Sequence, residues 1–469
     1  MAETPWQGDA CSLVEEFRHG RRSPLEELQA TFAAIEMSTL NAFCFLPREQ
    51  AERDAAAADV SKPFGGVPIG VKELTQVSGW PDTHASVPFR DDIAAFTSVM
   101  VQRIRDLGGA VLAGQTTSSE FGGVNLTRTV LHGTTHNPWQ HGRTPGGSSG
   151  GTSAAVSGGL VTIATGGDGG GSIRIPAGFT GLVGLKATIG RIPRGPKAEY
   201  GNLTVTIGCL SRSVRDTARW FDVCNGYEAR DPLSLPRVQG WEAGLGSNLD
   251  ALRGARVAVV PTWGNATVSP IMWELLDEAA GAFIGDNGMT RIDDIDTRLP
   301  NMGAAWSISG MIAVESQLGD LWPACADQLT PEMRYGLEST KGLYNAEARA
   351  KIERRRVELN EAMARIFDPV DGVDFVVAAT NPDVAFDADG PLPSVFGGVE
   401  AGARNNGRLT FPANLYGNPA ISIPAGTLDG LPIGLQVISR HYSEELLLDL
   451  ALSVERSRPW PLVAPASPR

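Results

Sequence analysis

The chain of 469 residues has only five cysteines, Cys11, Cys44, Cys209, Cys224 and Cys325. They are odd in number, far apart and without a Cys-x-x-Cys pair, which argues against a disulfide framework and a cysteine-built zinc site and suits a reducing compartment. No stretch approaches the roughly 18 consecutive apolar residues of a membrane-spanning helix, and residues 1–17 lack the basic and apolar segments of a secretory leader. A cytoplasmic protein is the expectation. Basic residues are also in short supply: 40 Lys and Arg against 53 Asp and Glu leave a formal charge of −13, and the longest basic run is Arg354-Arg355-Arg356. Reading nucleic acid needs a basic face to neutralise phosphates, so nucleic acid is not an expected partner. His132, His136 and His141 cluster, but in a Gly/Thr/Pro-containing stretch whose spacing matches no zinc pattern. We expect structural or solvent-exposed histidines, no metal and no cofactor. Gly181-Leu182-Val183-Gly184-Leu185-Lys186-Ala187-Thr188-Ile189-Gly190-Arg191 lacks the spacing of a phosphate-cradling P-loop, and no internal repeat or low-complexity tract occurs.

Glycine, in contrast, is concentrated in one place. Residues 144–176 hold 11 glycines in 33 positions with no collagen-like period, and an apolar run at 160–164, between two glycine clusters, predicts a buried strand. Glycine is required where the backbone takes positive φ or presents bare N–H groups to a ligand. Each cluster touches a serine, Ser148 in the first and Ser172 after the second. A serine behind a run of free amides is a candidate nucleophile beside an oxyanion hole. Taken alone, Gly146-Gly147-Ser148-Ser149-Gly150-Gly151 reads far more readily as a surface turn or linker. What shifts the reading is the segment Thr165-Gly166-Gly167-Asp168-Gly169-Gly170-Gly171-Ser172-Ile173-Arg174-Ile175-Pro176 a short way downstream. Together the two motifs resemble the amidase signature family.

That resemblance implies a serine, serine, lysine catalytic set. The nucleophile falls on Ser172, the bridging serine on Ser148, with a cis Gly147–Ser148 peptide, and the base on Lys72. Lys72 ends the apolar run Val67, Ile69, Val71, which reads as a doubly buried strand; by itself such a lysine would pair with Glu73 or a distant carboxylate. A desolvated lysine, however, is neutral near pH 7 and able to accept a proton, and the six histidines offer no evident triad with Ser172. The oxyanion hole is implied at the amides of Gly169, Gly170, Gly171 and Ser172, with Asp168 and Arg174 as an ion pair behind the loop or, alternatively, Arg174 facing substrate. Four positions depart from the commoner family pattern: Thr117 for asparagine, Gly169 for threonine, and Ala187 and Cys209 for prolines. The resemblance covers roughly residues 10–220 and 340–456, including Phe411-Pro412-Ala413-Asn414 and Gly430-Leu431-Pro432-Ile433-Gly434.

Helices are expected over residues 9–36, one opening near Ser12 and one capped by Ser23 with Pro24 in its first turn, and again at 346–367 and 444–455, the last with Leu446, Leu447 and Leu450 inward. Strands are expected at 256–260 and 375–379. The resemblance implies an α/β fold, a single large domain with a mixed central sheet covered by helices on both faces. Within 1–469 this gives N-terminal helices (1–60), a signature core (61–225), a more variable substrate-side region (226–396) and C-terminal core strands and helix (397–469). Trp306, Met311, Trp322 and Tyr335 in the variable region suggest core or an aromatic leaving-group cradle. The implied activity is hydrolysis of a C–N acyl bond in a small-molecule amide, carbamate or ester through a serine acyl-enzyme. A glutamine-dependent amidotransferase component, an allophanate-type hydrolase and a non-catalytic small-molecule binding protein are the alternatives, and a homodimer is left open.

Overall fold

Eleven strands join into one mixed sheet that gathers residues from both ends of the chain. In chain order they are β1 (Phe43–Phe45), β2 (Pro68–Lys72), β3 (Val111–Thr116), β4 (Ile163–Asp168), β5 (Val183–Lys186), β6 (Thr206–Ser211), β7 (Arg256–Val259), β8 (Thr290–Arg291), β9 (Phe375–Ala379), β10 (Ala420–Leu428) and β11 (Leu431–Ser439). Across the sheet they run β1-β3-β2-β4-β6-β5-β10-β11-β9-β7-β8. The hairpin β10–β11, made last, therefore lies near the middle, between β5 and β9. β2 is parallel to both β3 and β4, whereas β4 is antiparallel to β6. The computed structural model describes residues 4–198, 201 and 203–469, without the side chains of residues 303, 304 and 306, so the Trp306 side chain lies outside the described ones.

Every residue of β2, β9 and β11 is buried. Side chains alternate between faces along a strand, so burial at every position requires cover on both sides. The 13 α-helices among the described residues supply it. No helix among the described residues is long and apolar enough to cross a membrane.

Local signals account for most of these elements. The helix Pro24–Met37 starts with a capping box, in which Ser23 accepts from the Glu26 amide and Glu26 reaches back to the Ser23 amide. The first helix, Ala10–Arg18, begins earlier than Ser12: Asp9 is its cap and accepts from the Ser12 amide. The strand expected at 160–164 is displaced to Ile163–Asp168, because Gly166 and Gly167 stay extended and pair with Gly208 and Ile207. In the helix Glu444–Ser457, Leu447, Leu448 and Leu450 are buried while Leu446 is half-buried at the edge of the core. Cys209 is a small buried residue of β6, as expected.

Candidate active site

β2 delivers Lys72 to the site. Its amide donates to Thr165 Oγ1 of β4 at 2.7 Å, which ties the two parallel strands where their side chains reach the serine turns. Its Nζ donates to Ser148 Oγ at 2.7 Å and to Ser149 Oγ at 2.9 Å. Both serines are buried in the turn that enters the helix Gly150–Ser157, and the Gly147–Ser148 peptide is cis. The turn admits no side chain at position 147, where a Cβ would lie 2.6 Å from the Leu126 amide nitrogen. Burial pushes the Lys72 ammonium down to about 7, although the charges of Asp168 and Glu73 act to raise it. Lys72 is thus poised to lose a proton near neutral pH.

β4 ends at Asp168, and the glycine turn that leads to Ser172 is built around that carboxylate. Asp168 accepts from the Gly171 amide at 2.7 Å and, in weaker contacts, from the amides of Ile173 and Arg174. Arg174 grips it with Nε at 2.9 Å and Nη2 at 3.0 Å, both partners fully buried. Burial alone would raise the Asp168 pKa; the charge and hydrogen bonds of Arg174, with the amide of Asn414, hold it down at about 2. The remaining Arg174 donors go to Thr410 O at 2.9 Å, Asn414 Oδ1 at 2.6 Å and Gln436 Oε1. Every donor direction of Arg174 is therefore spent inside the protein, which assigns it to holding the turn. Because removing one partner of a buried pair strands the other charge, Arg174→Ala should cost about 3–5 kcal/mol, read as a shift in the denaturant midpoint. A variant of unchanged stability that only binds substrate more weakly would contradict this assignment.

Gly171 has φ of +132°, and a Cβ there would lie 2.3 Å from Thr410 Oγ1, so only glycine fits. Its amide, included among the implied oxyanion donors, is turned to Asp168 instead. The amides of Gly169, Gly170 and Ser172 make no hydrogen bond among the described residues and are the donors left to a ligand. Ser172 itself is half-buried, two residues before the helix Arg174–Thr180. Its hydroxyl is bonded to neither Ser148 nor Lys72, and to nothing else among the described residues.

Several contributors were not singled out from sequence. Ser149 shares the lysine with Ser148, and Thr410, Asn414 and Gln436 brace the turn from the C-terminal quarter. Asn414 lies inside a motif that carried the family resemblance, so that signal was present without its role. Glu120 is a fifth such residue: its buried carboxylate accepts from Ser86 Oγ at 2.6 Å and from the amide and hydroxyl of Thr330, cap of the helix Pro331–Thr340. This anchors the variable region beside the site, for a Cβ at neighbouring Gly122 would lie 3.4 Å from Ser148 Oγ. Phe89, Phe121, Met311 and Trp322 pack there against Leu329 and Met333, whereas Tyr335 points into solvent. Glu73 does not pair with Lys72; it meets His132 Nε2 at 2.6 Å, while His136 and His141 stack on one another.

The chain matches the family model described as Amidase over residues 26–448. It is 34% identical to an acylamidase of Rhodococcus erythropolis, with 97% of each chain covered. It is also 30% identical to a glutamyl-tRNA(Gln) amidotransferase component of Lacticaseibacillus paracasei, covering 94% of this chain and 95% of that one. Among solved structures, a bacterial aryl acylamidase of the amidase signature enzymes superposes with a TM-score of 0.88 at 26% identity, with 97% of each chain covered. A match of that length, on a mixed sheet that brings a buried lysine against the paired serines of one signature motif and braces the glycine turn of the other, makes this chain a member of the amidase signature family, an amidohydrolase acting on C–N bonds.

Proposed function

We propose that the chain hydrolyses carboxamides through an acyl-enzyme on Ser172, with Ser148 and Lys72 moving the proton. The observation that carries this reading is the 2.7 Å contact between a buried Lys72 and Ser148, beside a turn whose free amides surround Ser172. With Lys72 neutral, Ser172 Oγ attacks the carbonyl carbon, its proton passes to Ser148 Oγ, and the Ser148 proton passes to Lys72 Nζ. The carbonyl oxygen becomes an oxyanion that accepts from the amides of Gly169, Gly170 and Ser172. As the C–N bond breaks, the proton returns through Ser148 to the departing amine, leaving an ester on Ser172. Water then attacks that ester, its proton passing through Ser148 to Lys72, and the proton returns to Ser172 Oγ as the bond to it breaks and the carboxylic acid leaves. The same steps accommodate carbamates and esters, since the amides respond to the developing oxyanion rather than to the atom beside the carbonyl.

The apolar cluster of Phe89, Phe121, Met311 and Trp322, next to Gly122, favours an aromatic or long apolar group on the substrate. His84 stacks on Phe121 and meets Phe89 edge-on, so this wall is held in place. An anilide should be turned over at least about tenfold better in kcat/KM than a small aliphatic amide, the effect of about 1.4 kcal/mol of added apolar contact. Equal rates across such a panel would remove the cluster from the substrate side. Intact-protein mass spectrometry after treatment with an aryl sulfonyl fluoride, followed by peptide mapping, tests the acyl-enzyme: one adduct on Ser172 supports it, and an adduct elsewhere overturns it. The likeness to an amidotransferase component gives the second reading, in which glutamine is the substrate and partner chains are needed. Glutaminase activity without anilide turnover would favour it.

A further inference from the structure

His132 has a set of neighbours that the proposed reaction leaves unused. Its Nε2 lies 2.6 Å from Glu73 Oε1, and Cys44 Sγ joins them so that the three ligand atoms all fall within 4.8 Å of one another. The three residues sit on separately anchored segments. Cys44 is the centre of β1, at one edge of the sheet, and its thiol donates to the Gln115 carbonyl at 3.6 Å. Glu73 directly follows β2, its amide donating to the Thr116 carbonyl at 3.0 Å. His132 is fixed through its backbone: its amide donates to Thr129 Oγ1 at 2.9 Å and its carbonyl accepts from Asn41 Nδ2 at 2.7 Å.

A second observation is independent of this proximity. The Glu73 side chain is 1% exposed, yet its Oε2 has no hydrogen-bond partner among the described residues, while Oε1 accepts from Thr83 Oγ1 and faces His132. A buried carboxylate oxygen with no donor is unfavourable, and a cation is one way to satisfy it. A hard cation such as Ca²⁺ or Mg²⁺ takes oxygen ligands, whereas one sulfur, one imidazole nitrogen and one carboxylate suit a borderline ion, with the fourth tetrahedral position left to water. The His132 side chain is 20% exposed, which gives the ion a way in.

We propose that Cys44, Glu73 and His132 form a binding site for Zn²⁺ beside the catalytic lysine. On binding, the Cys44 S–H bond is replaced by S–Zn and the thiol proton goes to solvent; His132 ligates through Nε2 with its other ring nitrogen protonated. The site is independent of the Ser172 reading, and its test involves no turnover.

The full-length protein, stripped with chelator and dialysed against Zn²⁺, should retain one equivalent by metal analysis. With Co²⁺ in its place it should show visible d–d bands and a near-ultraviolet thiolate-to-cobalt band. Cys44→Ser should abolish the charge-transfer band, and both Cys44→Ser and His132→Ala should weaken Zn²⁺ binding at least tenfold, whereas His136→Ala should leave it unchanged. On the unaltered chain, Zn²⁺ should also protect Cys44 from alkylation, so a variant that fails to fold does not remove the test. Retention of zinc by both site variants, or alkylation of Cys44 indifferent to Zn²⁺, would overturn the site.

Discussion

Ser172→Ala should lower kcat/KM for an anilide by about 10⁵- to 10⁶-fold, the loss expected when a nucleophile acting as part of a unit is removed. Its stability should stay within about 0.5 kcal/mol of the parent, because the Ser172 hydroxyl makes no hydrogen bond among the described residues. The two readouts together make the result informative. A dead variant with unchanged unfolding behaviour assigns the loss to chemistry, whereas a variant retaining more than about a hundredth of the activity would move the nucleophile elsewhere, with Ser148 the first candidate.

The second large effect concerns Lys72. Lys72→Met should lower activity by about 10²- to 10⁴-fold, the usual worth of a positioned base, and Lys72→Arg should not restore it, because a guanidinium keeps its proton throughout the working range. The pH profile carries the sign. In the proposed relay Lys72 acts when neutral, and burial lowers its pKa to about 7, so kcat/KM should rise with pH through about 7 and level off above it. A second buried lysine titrates in the same range: Lys186, held at about 7 by burial and by the charge of Arg174, donates to the Ala187 carbonyl at 3.1 Å and to no serine. Lys186→Met should therefore keep the limb near pH 7. A limb that survives in residual Lys72→Met activity and vanishes in Lys186→Met would transfer the titration, and with it the role of base, away from Lys72.

Much of this site was legible because its chemistry is local in sequence. The two serine turns each need glycines for contacts that tolerate no Cβ, as at Gly147 and Gly171, and such needs leave a mark that can be read without coordinates. Lys72 was legible only as the end of an apolar strand whose pattern suited burial on both faces. Less visible was whatever depends on distant segments meeting. That the Gly171 amide faces Asp168 follows from how the turn closes, not from residue type, and the serine sharing Lys72 with Ser148 could not be told from its neighbours in a run of small residues. His132 was misleading for the same reason: its sequence neighbours His136 and His141 stack together, while its own partners lie 59 and 88 positions away in Glu73 and Cys44. The strand after the first serine turn was misplaced by a few residues because glycine in a strand reads as a break, although here it pairs across to β6.

The bracing of the Ser172 turn by the C-terminal quarter also bears on the order in which the chain is made. Arg174 and its partner Gln436 are separated by 262 residues, which at about 5–20 residues per second corresponds to roughly a quarter of a minute to most of a minute of translation. For most of that interval the glycine turn, the lysine and both serines have been made, but Thr410, Asn414 and the hairpin that fills the middle of the sheet have not. A chain interrupted before residue 410 carries the proposed catalytic set and the Asp168–Arg174 pair but none of the Thr410, Asn414 and Gln436 contacts that brace it, so the turn is completed only when the C-terminal quarter arrives.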